Sequence, residues 1–372
     1  MKKSTPKQQH LRIGSQDGLT LLELMVALAL GAFLVIGVVN VFLTTRESSN
    51  VEAALARVQE SGRFALDMLS ADLRRAHYTG CNSINRDPTI MMNDFSFVGV
   101  RGYSRDGDSW KPSLATASDP SLLTISNNAI SSGVRGGTDL LNLHLSSYVG
   151  NDLLDSDIGT SDTEFDITGN PDCMLEDGDA LIISNCLTSH AFWADLGASY
   201  DCTDDTAALT VKLDATKNLS SENFGAGYIY TSRTQLLKLE SVSWFVGDTG
   251  RQRNGETVWA LYRQSLDRQP VEMIEGVEFM QIQYGQRGGT ATAPTTRFVS
   301  ADDPAIDWDQ VVSVRIGLLV QNYDNVRDAN DPRTYVLADP NSPIDPAVHG
   351  GGLVLRQAFR LTTALRNTGY DI

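Results

Sequence analysis

Glu23 is the one ionisable side chain in the 25-residue run from Leu19 to Leu43, where Thr20 and Asn40 are the other polar residues. A carboxylate inside an apolar span costs about 2.5–3.5 kcal/mol on insertion scales and normally has a partner. The chemistry open to it is charge pairing, with an α-amino cation one helical turn away or with a cation on a neighbouring helix. Four cysteines, Cys81, Cys173, Cys186 and Cys202, all follow the apolar run. They form no Cys-x-x-Cys, and none of His10, His77, His144, His190 and His349 stands at metal-ligand spacing from them. An even number beyond a membrane span points to disulfides, with three connectivities open. "HGGG" at 349–352 has the texture of an oxyanion-hole loop, but no Gly-x-Ser-x-Gly elbow accompanies it. "GVRGG" at 133–137 has the wrong spacing for a phosphate loop and reads as a turn, and His-Glu-x-x-His is absent. Asp152, Asp155, Asp157, Asp162 and Asp166 offer hard oxygen donors without the spacing or central glycine of an EF-hand loop, so a solvated acidic loop is expected. No catalytic residue, metal or cofactor is expected, and the chain reads as a non-enzyme.

The element that positions Glu23 is a helix. At about 1.5 Å per residue, Leu19–Leu43 spans a hydrocarbon core of about 30 Å. Ahead of it, residues 1–18 carry Lys2, Lys3, Lys7 and Arg12 against Asp17. Positive flanks stay in the cytoplasm, which places the N-terminus inside and the bulk of the chain outside. The run is too long for a secretory signal peptide, and "NVFLTTRESSN" after it offers no small-residue cleavage site. Helical periodicity continues through Val51, Leu55, Val58, Gly62, Ala65, Leu66, Leu69 and Leu73, with Arg57, Glu60, Arg63, Asp67, Asp72 and Arg74 between them. One helix from about Leu19 to His77 is expected, apolar all round over 19–43 and amphipathic over 44–77, its stripe docking on the chain's own globular domain.

After Cys81, short alternating runs take over: "DLLNLHLSS", "DALIISN", "AALTVKL", "GYIYTS", "LLKLESVSWFV", "TVWALYRQ", "GVEFMQIQYG" and "VVSVRIGLLVQ". Leu141, Leu143 and Leu145 alternating with Asn142, His144 and Ser146 read as a half-buried strand. "DLLDSDIGTSDTEFD", "GDTGRQRNGE" and "RDANDPRT" read as long polar loops. The fold class is α+β: a long N-terminal helix and then, over 78–372, a large, mostly antiparallel β-rich domain, with a division into two lobes near residue 235 left open. The net charge is −16, and removing the leader, with four basic side chains and one acidic, leaves −19. That acidity argues against direct nucleic-acid binding and for solubility outside the cytoplasm.

Gly18-Leu19-Thr20-Leu21-Leu22-Glu23-Leu24, between a basic leader and a long apolar run, resembles the type IV prepilin leader. The resemblance implies cleavage by prepilin peptidase after Gly18, N-methylation of Leu19, and an assembly role for Glu23, now the fifth residue, pairing with the new α-amino group of its own or a neighbouring subunit. Leu19 stands where phenylalanine is commoner and Asp17 where a polar or basic residue is usual. "GRFALDMLSADLRRAHYTGC" (62–81), "GDALIISNC" (178–186), "IEGVEFMQIQYG" (274–285), "WDQVVSVRIGLLV" (308–320) and "FRLTTALRN" (359–367) resemble PilW-type minor pilins. That resemblance implies the disulfides Cys81–Cys186 and Cys173–Cys202. It also implies a single-pass inner-membrane protein with a periplasmic domain, held in membrane lipid before assembly. Its implied partners are the peptidase, other minor pilins and the major pilin, and its role is to prime type IV pilus assembly at the pilus tip. The alternatives are a type II secretion pseudopilin and a membrane-anchored periplasmic enzyme or ligand-binding protein.

Overall fold

The computed structural model describes residues 20–81, 88–93, 95, 97–106, 109–112, 133–151, 154–159, 161–219, 223–224, 230–231, 233–265, 269–290 and 293–367. The first helix, α1, runs Leu21–Arg75. The chain divides into two compact units, and the boundary, between Ala53 and Ala54, falls within α1. In the first unit the helix carries leucine, valine, alanine and phenylalanine on every face, as in Phe33, which is 81% exposed. It is long and apolar enough to cross a membrane.

In the second unit α1 buries Ala54, Val58, Gly62, Ala65, Leu69 and Leu73, a stripe of three- and four-residue steps. Val51 and Leu55, expected in that stripe, are exposed: Val51 precedes the first buried residue, Ala54, and Leu55 stands one residue round the helix from the Ala54–Val58 face. The helix ends two residues before His77, which adopts a left-handed conformation (φ 64°) that α-helix cannot continue through. Asn367 Nδ2 donates to the Ala76 carbonyl at 2.9 Å and so satisfies one of the last acceptors.

Fifteen strands are present among the described residues. The first eleven form one sheet: β1 (Thr89–Ile90), β2 (Val100–Asp106), β3 (Ser109–Lys111), β4 (Asp139–Asn151), β5 (Glu164–Ile167), β6 (Ala180–Ser184), β7 (Ser189–Asp195), β8 (Leu209–Leu213), β9 (Gln235–Arg253), β10 (Glu256–Ser265) and β11 (Val271–Glu275). Their order is β3-β2-β4-β9-β6-β7-β8-β5, with β1 on β7 and β11 on β10, which pairs with β9. The 19-residue β9 organises it. One edge pairs with β4; the other takes β6 over its first residues and β10 over its last. β12 (Val277–Thr290), β13 (Ala293–Val299), β14 (Val311–Gln321) and β15 (Arg356–Ala364) form a second sheet in the order β13-β12-β14-β15. Every pairing is antiparallel except β1 with β7. A short helix, α2 (Pro346–His349), precedes β15 and is capped by Asp345.

The main core joins the α1 stripe to alternate residues of both sheets: Leu141, Leu143 and Leu145 of β4, Val242, Trp244 and Val246 of β9, Met280, Ile282 and Tyr284 of β12, and Val314, Ile316, Leu318 and Val320 of β14. Each such aliphatic side chain contributes about 1.5–3 kcal/mol on full burial. Gly62 lets the helix approach β15: a Cβ there would lie 2.4 Å from the Phe359 ring. β4 is not half-buried as its alternation predicts. Asn142, His144 and Ser146 on its other face are buried too, satisfied by Ser241 and Ser243, by the Val98 amide and by the Tyr78 carbonyl respectively. Two segments read as polar loops also differ. "GDTGRQRNGE" is the end of β9 and a tight turn into β10, with Asn254 (φ 52°) and Gly255 (φ 82°) left-handed as a two-residue hairpin requires. In the 152–166 segment, Leu154, Ile158 and Phe165 enter a second core with Phe192 and Phe224. "GYIYTS" lies largely outside the described residues, apart from Tyr230 and Thr231.

Candidate functional site

The processing residues Gly18 and Leu19 lie outside the described residues. Glu23 lies inside them and sits at the third position of α1. Its Oε2 accepts from the Thr20 amide and the Thr20 hydroxyl, each at 3.1 Å, and the Thr20 Oγ1 accepts from the Glu23 amide at 3.3 Å. This is a reciprocal capping box, Thr-x-x-Glu, which satisfies two amides that a helix start leaves without partners. It also sets a negative charge against the positive end of the helix dipole. Glu23 is exposed, and all its partners belong to its own first turn.

The second half of α1 carries a carboxylate of the opposite kind. Asp72 is buried, and its Oδ2 accepts from Trp244 Nε1 at 3.0 Å and from Arg263 Nε at 2.9 Å. Arg263 continues to Ser265 at 3.0 Å and lies 3.8 Å from Glu240. Sequence reading places Asp72 among the polar residues between the stripe positions. The signal available was its position one residue before the stripe member Leu73, on a face that a helix turns inward.

The cysteines fall into two pairs. Cys173 and Cys202 are disulfide-bonded, with Cα atoms 5.7 Å apart, and they tie the turn at Pro171–Cys173 to the loop after β7. Cys81 and Cys186 are free thiols in hydrogen-bond contact. Partial burial and that contact push the Cys81 thiol up to about 11. The Cys81 amide donates to Gln235 Oε1 at 2.9 Å, and Gly80 (φ 88°) passes so close to Ser184 that a Cβ would lie 2.6 Å from its hydroxyl. The chain after α1 is thereby held against the end of β6, where Cys186 follows.

Among the described residues, no three His, Cys, Asp or Glu side chains converge as a metal site. In the acidic segment, Asp162 accepts from the Gly159 amide at 2.7 Å and Asp166 accepts from the Thr210 hydroxyl, while Asp152 lies outside the described residues. His349, at the head of "HGGG", has both ring nitrogens engaged: Nδ1 accepts from the Gly351 amide at 3.1 Å and Nε2 faces the Arg333 carbonyl at 2.9 Å. Neither nitrogen is left to act as a base.

Two family models match this chain. The prokaryotic N-terminal methylation motif matches residues 13–39, around the capped start of α1. The type IV pilus-assembly protein W family, PilW, matches residues 245–367, from the second half of β9 through β15. No curated protein and no solved structure matches the chain. The two matched stretches, one on the apolar N-terminal helix and one on the antiparallel β domain, together cover less than half of the chain and support a PilW-like type IV pilin.

Proposed function

We propose that this minor pilin takes part in priming type IV pilus assembly and sits at the pilus tip. Prepilin peptidase cuts after Gly18 on the cytoplasmic side, Leu19 is N-methylated, and the β domain lies in the periplasm while the helix rests in inner-membrane lipid. On assembly the helix enters the filament core among other minor pilins and the major pilin. The observation that carries this reading is Glu23, an exposed carboxylate at the start of an all-apolar helix inside a methylation motif. Its present partners are neutral groups of Thr20. An α-amino cation would replace them with a charge-assisted bond, and in apolar surroundings leaving such a pair broken costs about 3–5 kcal/mol. Register along the filament then follows from where the cation of one subunit meets the acid of the next. A second disulfide, Cys81–Cys186, belongs to the same reading, supported by the contact between the two thiols and by an oxidising periplasm.

Intact mass and N-terminal sequencing of the protein from host membranes test the processing step. The expected chain begins at N-methylated Leu19; a chain beginning at Met1, or cut after Leu43, would overturn it. Immunogold labelling of sheared pili tests the position, with label confined to filament ends as the expected result and label along the shaft as the contrary one. Thiol alkylation of the unreduced protein tests the disulfide, with no free thiol expected.

A further inference from the structure

Two glycine-rich stretches, "GVRGG", read from sequence as a turn, and "HGGG", set aside there for want of a nucleophile elbow, meet at one cavity in the β domain. It measures about 440 Å³, within the range of small-molecule sites. Arg135 of the first stretch and Gly350, Gly351 and Gly352 of the second line it, together with Trp259 and Arg356. The glycines all have positive φ (76°, 67° and 85°), a backbone that side chains resist.

Arg135 is held as a plane. Its guanidinium carbon lies 4.6 Å from the centre of the Trp259 ring and 4.0 Å from that of Phe279. One nitrogen, Nη2, donates to Glu278 Oε1 at 3.0 Å. Glu278 is 2% exposed, and its other oxygen accepts from Arg356 Nε at 2.7 Å. Arg356 spends its remaining nitrogens on the carbonyls of Gly351 and His349. The two arginines therefore differ. Arg356 has an acceptor for each nitrogen, whereas Arg135 has Glu278 as its one side-chain acceptor among the described residues, which leaves Nε and Nη1 without one. Neither atom is among the sealed, unsatisfied atoms of the interior, so both open on the cavity.

The charge balance points the same way. The lining holds Arg135, Arg253 and Arg356 against Glu256 and Glu278, and behind it Asp331 meets Arg333 at 2.8 Å and Arg327 at 3.5 Å. Arg253 is also met by Glu275 at 3.3 Å, and the excess positive charge lies at Glu278, where Arg135 and Arg356 share one carboxylate. Burial, and then Arg356 nearby, lower the Arg135 pKa against the opposing pull of Glu278, so a second anion would relieve a desolvated cation.

We infer that this cavity is a binding site for a small polar carboxylate, received in the plane of the Arg135 guanidinium. The Trp259 and Phe279 rings beside the guanidinium narrow the approach to Nε and Nη1, each of which can donate a charge-assisted hydrogen bond to a carboxylate oxygen. Gln321, Asn325 and Thr257 on the wall supply partners for hydroxyl or amino groups of the same molecule. The site stands in the β domain and does not depend on where the protein sits in a pilus.

The test is saturation-transfer NMR and calorimetry on the full-length protein in detergent, at constant ionic strength, with glucuronate, L-glutamate and lactate as probes. Glucose serves as the neutral counterpart of glucuronate and inorganic phosphate as the tetrahedral anion. The expected result is saturable binding of at least one carboxylate probe, at least tenfold tighter than glucose or phosphate, and weakened at least tenfold by Arg135→Gln. Val348→Trp, which narrows the cavity from a half-exposed lining position without touching the charge cluster, serves if Arg135→Gln does not fold, and the same loss is expected. No binding of any carboxylate, equal binding of glucose or phosphate, or binding that the folded variants leave unchanged would overturn the inference.

Discussion

Glu23 and Asp72 are carboxylates on one helix, 49 positions apart, and they are stabilised in opposite ways. Glu23 is exposed and bonds within its own turn. Asp72 is buried, and its hydrogen-bond partners lie 172 and 191 residues away in β9 and β10, while Arg75 of its own turn stands 3.8 Å from its other oxygen. A local partner is available as soon as the helix forms and can be exchanged cheaply for another. A distant partner exists only once the sheet has folded, and losing it strands a charge. The first arrangement suits a residue that changes partners; the second suits one that must not.

Asp72→Ala should break this comparison most severely. It removes the acceptor of a half-buried arginine and a buried indole, and the expected loss is about 3–5 kcal/mol in denaturant unfolding of the full chain followed by the strand signal in circular dichroism. Gly62→Ala, on the same face, should cost about 1–3 kcal/mol through the clash with Phe359, and Phe359→Leu should recover part of it. If Gly62→Ala is neutral, the helix does not approach β15 as closely as described.

A third carboxylate sharpens the contrast. Asp139 accepts from the Ser104 hydroxyl at 2.7 Å and the Ile282 amide at 2.6 Å, and it bonds to no arginine or lysine among the described residues. Burial therefore pushes it up to about 7, against the pull of those two hydrogen bonds. Its folded pKa lies above its ordinary value of 3.8, so the folded state holds the extra proton between the two. Its contribution to stability is greatest below about pH 4, declines as pH rises towards 7 and levels off above. Asp139→Asn should remove that decline, so the difference in melting temperature between variant and parent should shift in the variant's favour from pH 5 to pH 8; a constant difference would contradict the assignment.

The smallest effect on the β domain belongs to Glu23→Ala. It removes a capping box worth about 1 kcal/mol to the helix start and should leave the unfolding midpoint of the β domain within about 0.5 kcal/mol of the parent, while piliation falls. A shift of the midpoint comparable to that of Asp72→Ala would erase the distinction between the two residues.

Much of this was legible in the sequence, and the limits have physical causes. The helix, its apolar half and Glu23 are local matters of period and composition, and seven of the eight alternating runs lie in strands, five in the first sheet and two in the second. The 247–256 stretch was misread because its polar composition hid two exposed strand ends, although Asn254-Gly255 is a strong hairpin signal. Asp72, Arg135, Glu278 and Arg356 were not legible as partners. Each is an ordinary surface residue type, and only the paired sheets and the 349–352 loop bring them into contact. The Cys173–Cys202 bond, implied by family resemblance, is present; spacing alone left three connectivities open.

The Asp72 contact also fixes where force enters the β domain. Trp244 lies opposite Leu141 of β4 on one side and Arg263 of β10 on the other, so it belongs to a strand hydrogen-bonded along both edges at that point. A pull along the second half of α1 is handed by one carboxylate to the middle of β9 and to its neighbour β10, not to a border strand that could peel away one bond at a time. The mechanical strength of the domain is then governed by its most enclosed strand, and Asp72 is the coupling pin between cable and frame.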